Sequence, residues 1–348
     1  MILIALFKTY FNWFNWAMKA VSIVTPGQIE IIELPDPKPN NSEVVVEVAA
    51  VGICGTDLHI FEGEFAPKFP IVPGHEMTGT IVEIGKEVTG LKVGDPVAID
   101  PSVYCGECFY CRRARGNLCE SWNALGVSMT GAAAQYLLSP KKNIHKLSKD
   151  VDLKSAALIE PLSCAVRGYD QLPRIPGSHY LIYGSGTMGL MMAELARVNG
   201  AASVSIVDLN EEKLKTAKVL GFNNVATSAK EFNQSRGFDV VIDCTGVVAA
   251  IKDGLSHVMP GGTFLQFGVA NQDAKVEINP FWIYNKEITI VGSMAVLQSF
   301  DRAVELFTNG VLNAEVMISD RYPLDKYAEA LNSFKQGKGR KTIVLPNG

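Results

Sequence analysis

Four of the seven cysteines in this 348-residue chain lie within one short stretch, CGECFYCRRARGNLC. Their spacing, C-x2-C-x2-C-x7-C, lets four thiolates converge on one ion, and a closed tetrahedral shell of four thiolates is typical of structural zinc. An iron–sulfur cluster uses a similar run, but the proline usual after its last ligand is replaced here by Glu120. We therefore predict a structural zinc, which stabilises the fold and performs no chemistry, held by Cys105, Cys108, Cys111 and Cys119.

A second set of metal-binding residue types lies upstream. Cys54, Thr56 and His59 fall in GICGTDLHIFEGEF, and His75 and Glu76 fall in VPGHEMTG. One cysteine, one histidine and a carboxylate leave a coordination position open for water or substrate, as a catalytic zinc requires. Taken alone, Cys54 would more often be a buried thiol and His75 a hydrogen-bonded loop residue. Their occurrence together, upstream of the four-cysteine loop, favours a catalytic metal site.

A glycine-rich turn lies between a predicted strand and a predicted helix in HYLIYGSGTMGLMMAELARVNG. Gly184, Gly186 and Gly189 form G-x-G-x-x-G, which permits a tight turn, close approach of a pyrophosphate and close packing of helix on strand. Asp208 follows the next predicted strand, SVSIV, where a carboxylate binds the adenosine ribose hydroxyls. Because this carboxylate would repel a 2′-phosphate, the pattern predicts NAD rather than NADP. The other cofactor contacts predicted around this turn are Thr187, Met188 and Lys213.

Three more apolar segments, FDVVIDCTG (238–246), GGTFLQFGV (261–269) and EITIVGSM (287–294), are predicted to be buried parallel strands. Ligands bind beyond the carboxyl ends of such strands. Thr245, Val269 and Ser293 are therefore candidates for lining the nicotinamide path. Ordinary packing at the strand ends is an equally good interpretation of these three residues.

The composition excludes several classes of protein. A hydrophobic content of 47%, a charged content of 20% and a net charge of −4 indicate a globular protein, and give no basic surface for nucleic acid. The apolar run 2–7 is shorter than the ~20 residues of a membrane span, and it lacks the features of a signal peptide. We expect residues 1–17 to be an accessory extension, with an interfacial helix or a subunit contact as the alternative. A cytoplasmic protein without a membrane span is predicted.

In this order, the Cys54–His59 stretch, Gly74-His75-Glu76, the four-cysteine loop and the glycine turn ending in Asp208 resemble the zinc-containing medium-chain dehydrogenase/reductase family. The resemblance covers the chain from about Met18 onward. It implies an α/β protein with a GroES-like, mostly antiparallel β catalytic domain (18–157 together with 295–348). A Rossmann domain with a doubly wound parallel sheet (158–294) is implied as the second domain, with the active site between the two.

Within this family, the stretch AALIEPLSCAVRGYD is similar to that of sorbitol and related polyol dehydrogenases because it carries Glu160. Alcohol dehydrogenases typically place a third thiolate here, and threonine dehydrogenases usually an aspartate. The resemblance implies that the catalytic zinc binds Cys54, His75 and one glutamate. Whether Glu76 or Glu160 is the direct ligand is left open. Asp57 is expected to orient His75.

The resemblance also implies a mechanism. The substrate hydroxyl binds zinc, hydride passes to NAD, and the proton leaves through Thr56, the NAD ribose and His59. The predicted function is oxidation of a secondary alcohol of a small-molecule polyol to a ketose by a homo-oligomer, tetrameric or dimeric. The alternatives are L-threonine, butane-2,3-diol or a polyol phosphate as substrate, or a catalytically silent relative that binds NAD and zinc.

Overall fold

The computed structural model describes residues 17–65 and 68–348. The predicted extension 1–17 lies outside these residues, except that its last residue, Ala17, begins the first strand. No helix in the described ranges has both the length and the apolar character needed to cross a membrane.

The first half of the described chain consists mainly of strands, and from β10 onward strands and helices follow one another. The strands are β1 (Ala17–Thr25), β2 (Gln28–Pro35), β3 (Glu43–Gly52), β4 (Glu76–Ile84), β5 (Pro96–Ile99), β6 (Ser102–Val103), β7 (Asn123–Ala124), β8 (Tyr136–Pro140), β9 (Ile144–Lys146), β10 (His179–Tyr183), β11 (Ser203–Val207), β12 (Asn224–Ala226), β13 (Phe238–Asp243), β14 (Val258–Gln266), β15 (Thr289–Gly292), β16 (Ile318–Pro323) and β17 (Lys341–Leu345). The helices are α1 (Gly55–Phe61), α2 (Ile159–Tyr169), α3 (Thr187–Val198), α4 (Glu211–Val219), α5 (Val248–Ser256), α6 (Pro280–Lys286), α7 (Phe300–Thr308), α8 (Ala314–Met317) and α9 (Tyr327–Lys335).

A mostly antiparallel sheet of seven strands carries the first metal-binding residues. Its order is β16-β17-β3-β4-β5-β9, and β8 also pairs with β3. β3 is rich in valine and is buried along most of its length, as a central strand requires. The β3–β4 ladder pairs Gly52 with Glu76, and β17 pairs with the same end of β3 through Ile343 and Gly52. Distant parts of the chain therefore meet where β3 ends.

The second sheet is parallel throughout, with six strands in the order β12-β11-β10-β13-β14-β15. Alternate residues of β10 enter different cores, Ile182 on one face and Leu181 on the other. Burial of both faces is the usual environment of a parallel sheet. The strand order reverses between β10 and β13, and ligands bind at such a reversal. The predicted α/β organisation, with a mostly antiparallel β part and a parallel sheet between helices, is confirmed.

Helix α2 joins the two sheets. One hydrophobic cluster contains Ala50 of the antiparallel sheet, Leu162 of α2 and Ile182 of the parallel sheet. The four-cysteine loop also reaches the parallel sheet, because Asn117 Nδ2 donates to the carbonyl of Met294 at 3.2 Å. The predicted domain boundaries, near 157 and 294, lie just before α2 and just after β15, and they stay predictions.

Candidate metal centre and dinucleotide site

Cys54, His75 and Glu76 converge at the end of β3. Cys54 precedes helix α1, and His75 immediately precedes Glu76, the first residue of β4. One ligand atom from each of the three lies within 4.8 Å of the other two. His75 and Glu76 are buried, and Nδ1 of His75 has no hydrogen-bond partner among the described residues. A thiolate, an imidazole and a carboxylate in this arrangement match the donor set of a zinc ion.

The carboxylate of Asp57 binds the two loops that carry Cys54 and His75. It accepts hydrogen bonds from the backbone N–H of Cys54 at 2.9 Å and of Gly74 at 3.2 Å. It lies 3.8 Å from Nδ1 of His75, too far for a hydrogen bond, so its predicted role in orienting His75 stays a prediction. Burial opposes a charged imidazole, but the negative charges of Asp57, Cys54 and Glu160 outweigh burial and raise the pKa of His75 well above its usual value.

Glu160 lies in the first turn of α2 and is buried. It is not one of the three convergent ligands, although its charge interacts with those of His75 and Glu76. Burial raises the pKa of Glu160 to about 7. The thiol of Cys164 donates to Glu160 Oε1 at 3.4 Å. Of the two candidate carboxylates, Glu76 is therefore the one that the fold brings into the ligand group.

Lys341 is part of this site and was not identified from the sequence. Its ammonium forms a buried ion pair with Glu76 and donates to the carbonyl of Ile53 at 3.0 Å. A side chain at Gly52 would overlap the Glu76 carboxylate and crowd Lys341, so the glycine leaves room for the pair. The only signal in the sequence is a lysine at the start of the apolar segment KTIVL. Nothing in that segment indicates that β17 will pair with β3.

The two predicted relay residues lie one turn apart on α1. The Thr56 hydroxyl is 3.8 Å from Cys54 Sγ, so it is beside the candidate metal ligands. His59 is partly buried; its Nδ1 lies 2.6 Å from a Glu64 carboxylate oxygen. The imidazole also contacts the Phe65 ring, with 4.8 Å between centroids. Both side chains are therefore available between the metal site and the surface.

The four-cysteine loop brings its sulfur atoms together. Sγ of Cys119 lies 3.5 Å from that of Cys105 and 3.9 Å from that of Cys108, and Cys105 lies 3.9 Å from Cys111. These separations are much longer than the ~2.05 Å of a disulfide. Hydrogen bonds from the backbone N–H groups of Cys111 and Glu120 lower the pKa of Cys108 to about 6, which favours the thiolate.

The glycine turn connects β10 to α3 as the sequence predicts. Gly184 has φ of 100°, a conformation that favours glycine, and a side chain at Gly189 would overlap the carbonyl of Gly184. Gly186 is the N-cap of α3, whose first residues are Thr187 and Met188. The free N–H groups of this helix end form a site for a pyrophosphate.

Asp208 directly follows β11 and lies beside this turn. Its carboxylate accepts from the backbone N–H of Ser185 at 2.7 Å and of Asn210 at 2.8 Å. Lys213, in the first turn of α4, is adjacent because its carbonyl accepts from the Ser185 hydroxyl at 3.1 Å. The predicted ribose-binding residue and the predicted phosphate turn are therefore in contact.

Val269 and Ser293 line a cavity of about 400 Å³ at the carboxyl ends of β14 and β15. The buried hydroxyl of Ser293 has no hydrogen-bond partner among the described residues. Thr245 does not line this cavity. Its hydroxyl donates to Asp243 at 2.6 Å and accepts from the N–H of Val247 at 3.0 Å, so it stabilises the turn after β13.

Known proteins share this arrangement over nearly the whole chain. Residues 40–149 match the alcohol dehydrogenase GroES-like domain, and residues 187–309 match the zinc-binding dehydrogenase domain. D-arabinitol dehydrogenase 1 of Uromyces fabae is 37% identical, over 95% of this chain and 97% of its own. Sorbitol dehydrogenase of Halalkalibacterium halodurans is 31% identical, over 92% and 96%. A zinc-binding dehydrogenase structure from Sinorhizobium meliloti 1021, bound to NADP, has a TM-score of 0.92 and 33% identity, over 95% and 99%.

The matched lengths extend over both sheets, and residues 40–149 span the convergent Cys54, His75 and Glu76 and the four-cysteine loop. The resemblance stated from the sequence is confirmed. The chain belongs to the zinc-binding alcohol dehydrogenase family of medium-chain dehydrogenases and is an oxidoreductase.

Proposed function

We propose that this protein oxidises a secondary alcohol of a sugar alcohol to a ketone, with NAD as hydride acceptor and one catalytic and one structural zinc per subunit. The observation that carries the proposal is the convergence of Cys54, His75 and Glu76 on one point at the end of β3. Its relatives named D-arabinitol and sorbitol dehydrogenase support a polyol as substrate.

The three convergent side chains would hold the catalytic zinc and leave one position for the substrate. When bound, zinc lowers the pKa of the substrate hydroxyl and stabilises the alkoxide. Lys341 fixes the Glu76 carboxylate and offsets part of the negative charge around the ion. Glu160, adjacent and with a pKa near neutral, would orient a water molecule or a second hydroxyl of the polyol. The four-cysteine loop would hold the structural zinc.

The chain also supplies a route for the proton of the substrate hydroxyl. Thr56, beside Cys54, would accept that proton at its hydroxyl oxygen while its own hydroxyl proton passes toward His59. His59 lies on the same face of α1 and is the titratable group between this hydroxyl and the surface. A carboxylate oxygen of Glu64, 2.6 Å from Nδ1, holds the His59 ring in position.

The glycine turn supports binding of a dinucleotide, which accepts the hydride, and Asp208 supports NAD over NADP. At the ribose position a carboxylate accepts from two hydroxyls and repels a 2′-phosphate. Val269 and Ser293 would line the nicotinamide site. The cytoplasmic location and the homo-oligomeric state expected from the sequence belong to this proposal.

The test is NAD reduction, followed by absorbance, with and without a zinc chelator. The substrates are sorbitol, xylitol, D-arabitol, ribitol, galactitol, their phosphate esters, butane-2,3-diol, L-threonine and ethanol. Chelator-sensitive turnover of a sugar alcohol or its phosphate is expected. Turnover confined to threonine or the diol would show that the proposed substrate class is wrong and the proposed mechanism still holds. If no substrate is turned over although zinc and NAD are bound, the proposal is overturned and the protein is a catalytically silent relative.

A further inference from the structure

Two arginines without a carboxylate partner face the cavity at the ends of β14 and β15. Arg115 comes from the four-cysteine loop and Arg167 from α2, and both line the cavity. Within the described residues, neither side chain has a carboxylate oxygen within 4.0 Å. The nearby carboxylate of Asp170 is occupied, because Arg302 binds both its oxygens at 2.8 and 2.6 Å and Arg174 binds it as well.

Arg167 is held in place by a neutral group. With its amide oxygen turned toward Arg167, Gln171 accepts from Nη1 at 2.6 Å and from Nη2 at 3.1 Å, while Nε of Arg167 is buried without a partner. Burial lowers the pKa of Arg167; the carboxylate of Asp170 opposes this effect, and the positive charges of Arg115 and Arg302 add to it. An anion between Arg115 and Arg167 would offset the repulsion between them and supply charge-assisted hydrogen bonds to both.

This anion is not the pyrophosphate of the cofactor. The glycine turn follows β10, whereas the cavity lies at the ends of β14 and β15, two and three strands away in the sheet. At the usual spacing between strands the two sites are about 10–14 Å apart. The cavity is instead on the side of the sheet that the nicotinamide would reach, as its lining by Val269 and Ser293 indicates.

The distance from the candidate zinc site suits a sugar-alcohol chain. Arg167 follows Glu160 by seven residues of α2, so the two lie on the same helix face about 10 Å apart along the axis. Glu160 is beside the convergent ligands, and the arginine side chain reaches back over part of this distance. A five- or six-carbon substrate with its reacting hydroxyl at the zinc would direct its far end toward Arg167 and Arg115.

We infer that the substrate carries a terminal oxyanion, a phosphate monoester or a carboxylate, which binds between Arg115 and Arg167 while the secondary alcohol lies at Cys54, His75 and Glu76. This inference rests on the proposed function and narrows its substrate class. A charge-assisted hydrogen bond contributes ~1.5–3 kcal/mol. Each arginine should therefore favour the anionic substrate by about 10- to 100-fold.

The kinetic test compares D-arabitol, D-arabitol 5-phosphate and D-arabinonate as substrates of the zinc-loaded enzyme. The variants are Arg115→Gln, Arg167→Gln and their combination; Arg112→Gln, on the same loop but outside the cavity, is the matched control. An anionic substrate should have the higher kcat/KM in the wild type, and its advantage over arabitol should fall at least about 100-fold in the double variant. Preference for the phosphate or for the acid identifies the oxyanion. Equal use of all three substrates by the wild type, or an unchanged preference in the double variant, overturns the inference.

A binding test separates this inference from the proposed function. Calorimetry with the zinc-loaded enzyme and NADH measures the affinity for D-arabitol 5-phosphate, D-arabinonate and inorganic phosphate, whether or not they are turned over. Tight binding of one of them that is lost in the double variant and kept in Arg112→Gln supports the site, even if the proposed chemistry fails. Turnover of neutral polyols with no measurable binding of any of these anions overturns the site and leaves the proposed function standing.

Discussion

Glu76 is both the candidate metal ligand and the partner of Lys341, so its carboxylate faces a zinc ion on one side and an ammonium on the other. Cys54, Glu76 and, when it is ionised, Glu160 bring three negative charges to a site where zinc would supply two positive ones. Lys341 restores the balance in a buried region, and the negative charges of Glu76 and Cys54 keep its pKa raised despite burial. A buried cation therefore makes two carboxylates compatible with one zinc ion.

Replacing Lys341 by methionine should weaken zinc binding at the catalytic site by about 10- to 100-fold, because Glu76 loses the group that orients it. Chelator competition measures the affinity. Lys146→Met is the matched control, since Lys146 pairs with the buried Asp95 at 2.8 Å in the same sheet. Both variants should unfold at lower temperature, but only Lys341→Met should lose zinc. An unchanged zinc affinity in Lys341→Met would show that the pair is only structural.

The separation of the metal site from the glycine turn gives a second expectation. Cys54→Ser and His75→Ala should each abolish turnover, because the three-ligand group is broken. The dissociation constant of NAD, measured by fluorescence quenching or calorimetry, should change less than about threefold, or ~0.65 kcal/mol. Loss of NAD binding in a folded His75→Ala protein would contradict this division of roles.

At the scale of elements, two glycines of the turn have different roles. Gly189 is needed for packing of the turn, and Gly186 leaves room for the cofactor. A side chain at Gly189 would overlap the Gly184 carbonyl, whereas one at Gly186, where φ is −78°, meets no atom within 4 Å. Gly189→Ala should therefore destabilise the protein by ~1–3 kcal/mol. Gly186→Ala should keep the stability of the wild type but lower the affinity for NAD at least about tenfold, because the methyl group occupies the space that the pyrophosphate needs. Thermal unfolding and NAD titration of both variants measure the contrast, and similar losses in both would refute it.

The four-cysteine loop should contribute to the thermal stability of the protein and not to its chemistry. Cys108→Ser should lower the zinc content by one ion per subunit and lower the unfolding temperature, since a closed site contributes folding free energy. Cys244→Ser makes the same chemical change at a buried thiol outside both clusters and should keep the zinc content. Metal analysis by mass spectrometry, together with thermal unfolding, measures both effects. Normal zinc content in Cys108→Ser would contradict the assignment.

Local sequence patterns were enough to predict the strands, the helices and the glycine turn. The composition of the two proposed sites depends on contacts between distant parts of the chain, which no local pattern shows. The turn from β10 to α3 is visible because its glycines, helix and Asp208 lie within one stretch. The choice between Glu76 and Glu160 depends on the β3–β4 register, which pairs Gly52 with Glu76. Lys341 and Arg115 have no local motif, because they enter their sites through the β17–β3 pairing and the docking of the four-cysteine loop.

At the scale of the whole molecule, α2 joins the two proposed sites. Its first turn holds Glu160 beside the metal ligands, its last turn holds Arg167 at the cavity, and its buried face packs in the cluster shared by both sheets. Asn117 and Met294, which also line the cavity, are joined by a hydrogen bond. The spacing between zinc and oxyanion is therefore set by one helix rather than by two independently moving parts.

The edge of the parallel sheet leads to the last expectation. Among the described strands, β15 pairs only with β14, and its Ile290 is 40% exposed, close in sequence to Phe281 and Tyr284 of α6 at 67% and 81%. An unpaired edge strand with exposed apolar side chains favours association with a second copy.

We therefore expect a homo-oligomer that Ile290→Arg converts to smaller species, because the interface would have to bury an unpaired charge. Sedimentation velocity measures the mass. Val219→Arg on α4, at a position 71% exposed and away from this edge, is the control and should keep the wild-type mass. A monomeric wild type would contradict the expected association. An Ile290→Arg protein that sediments like an oligomeric wild type would show that the interface lies elsewhere.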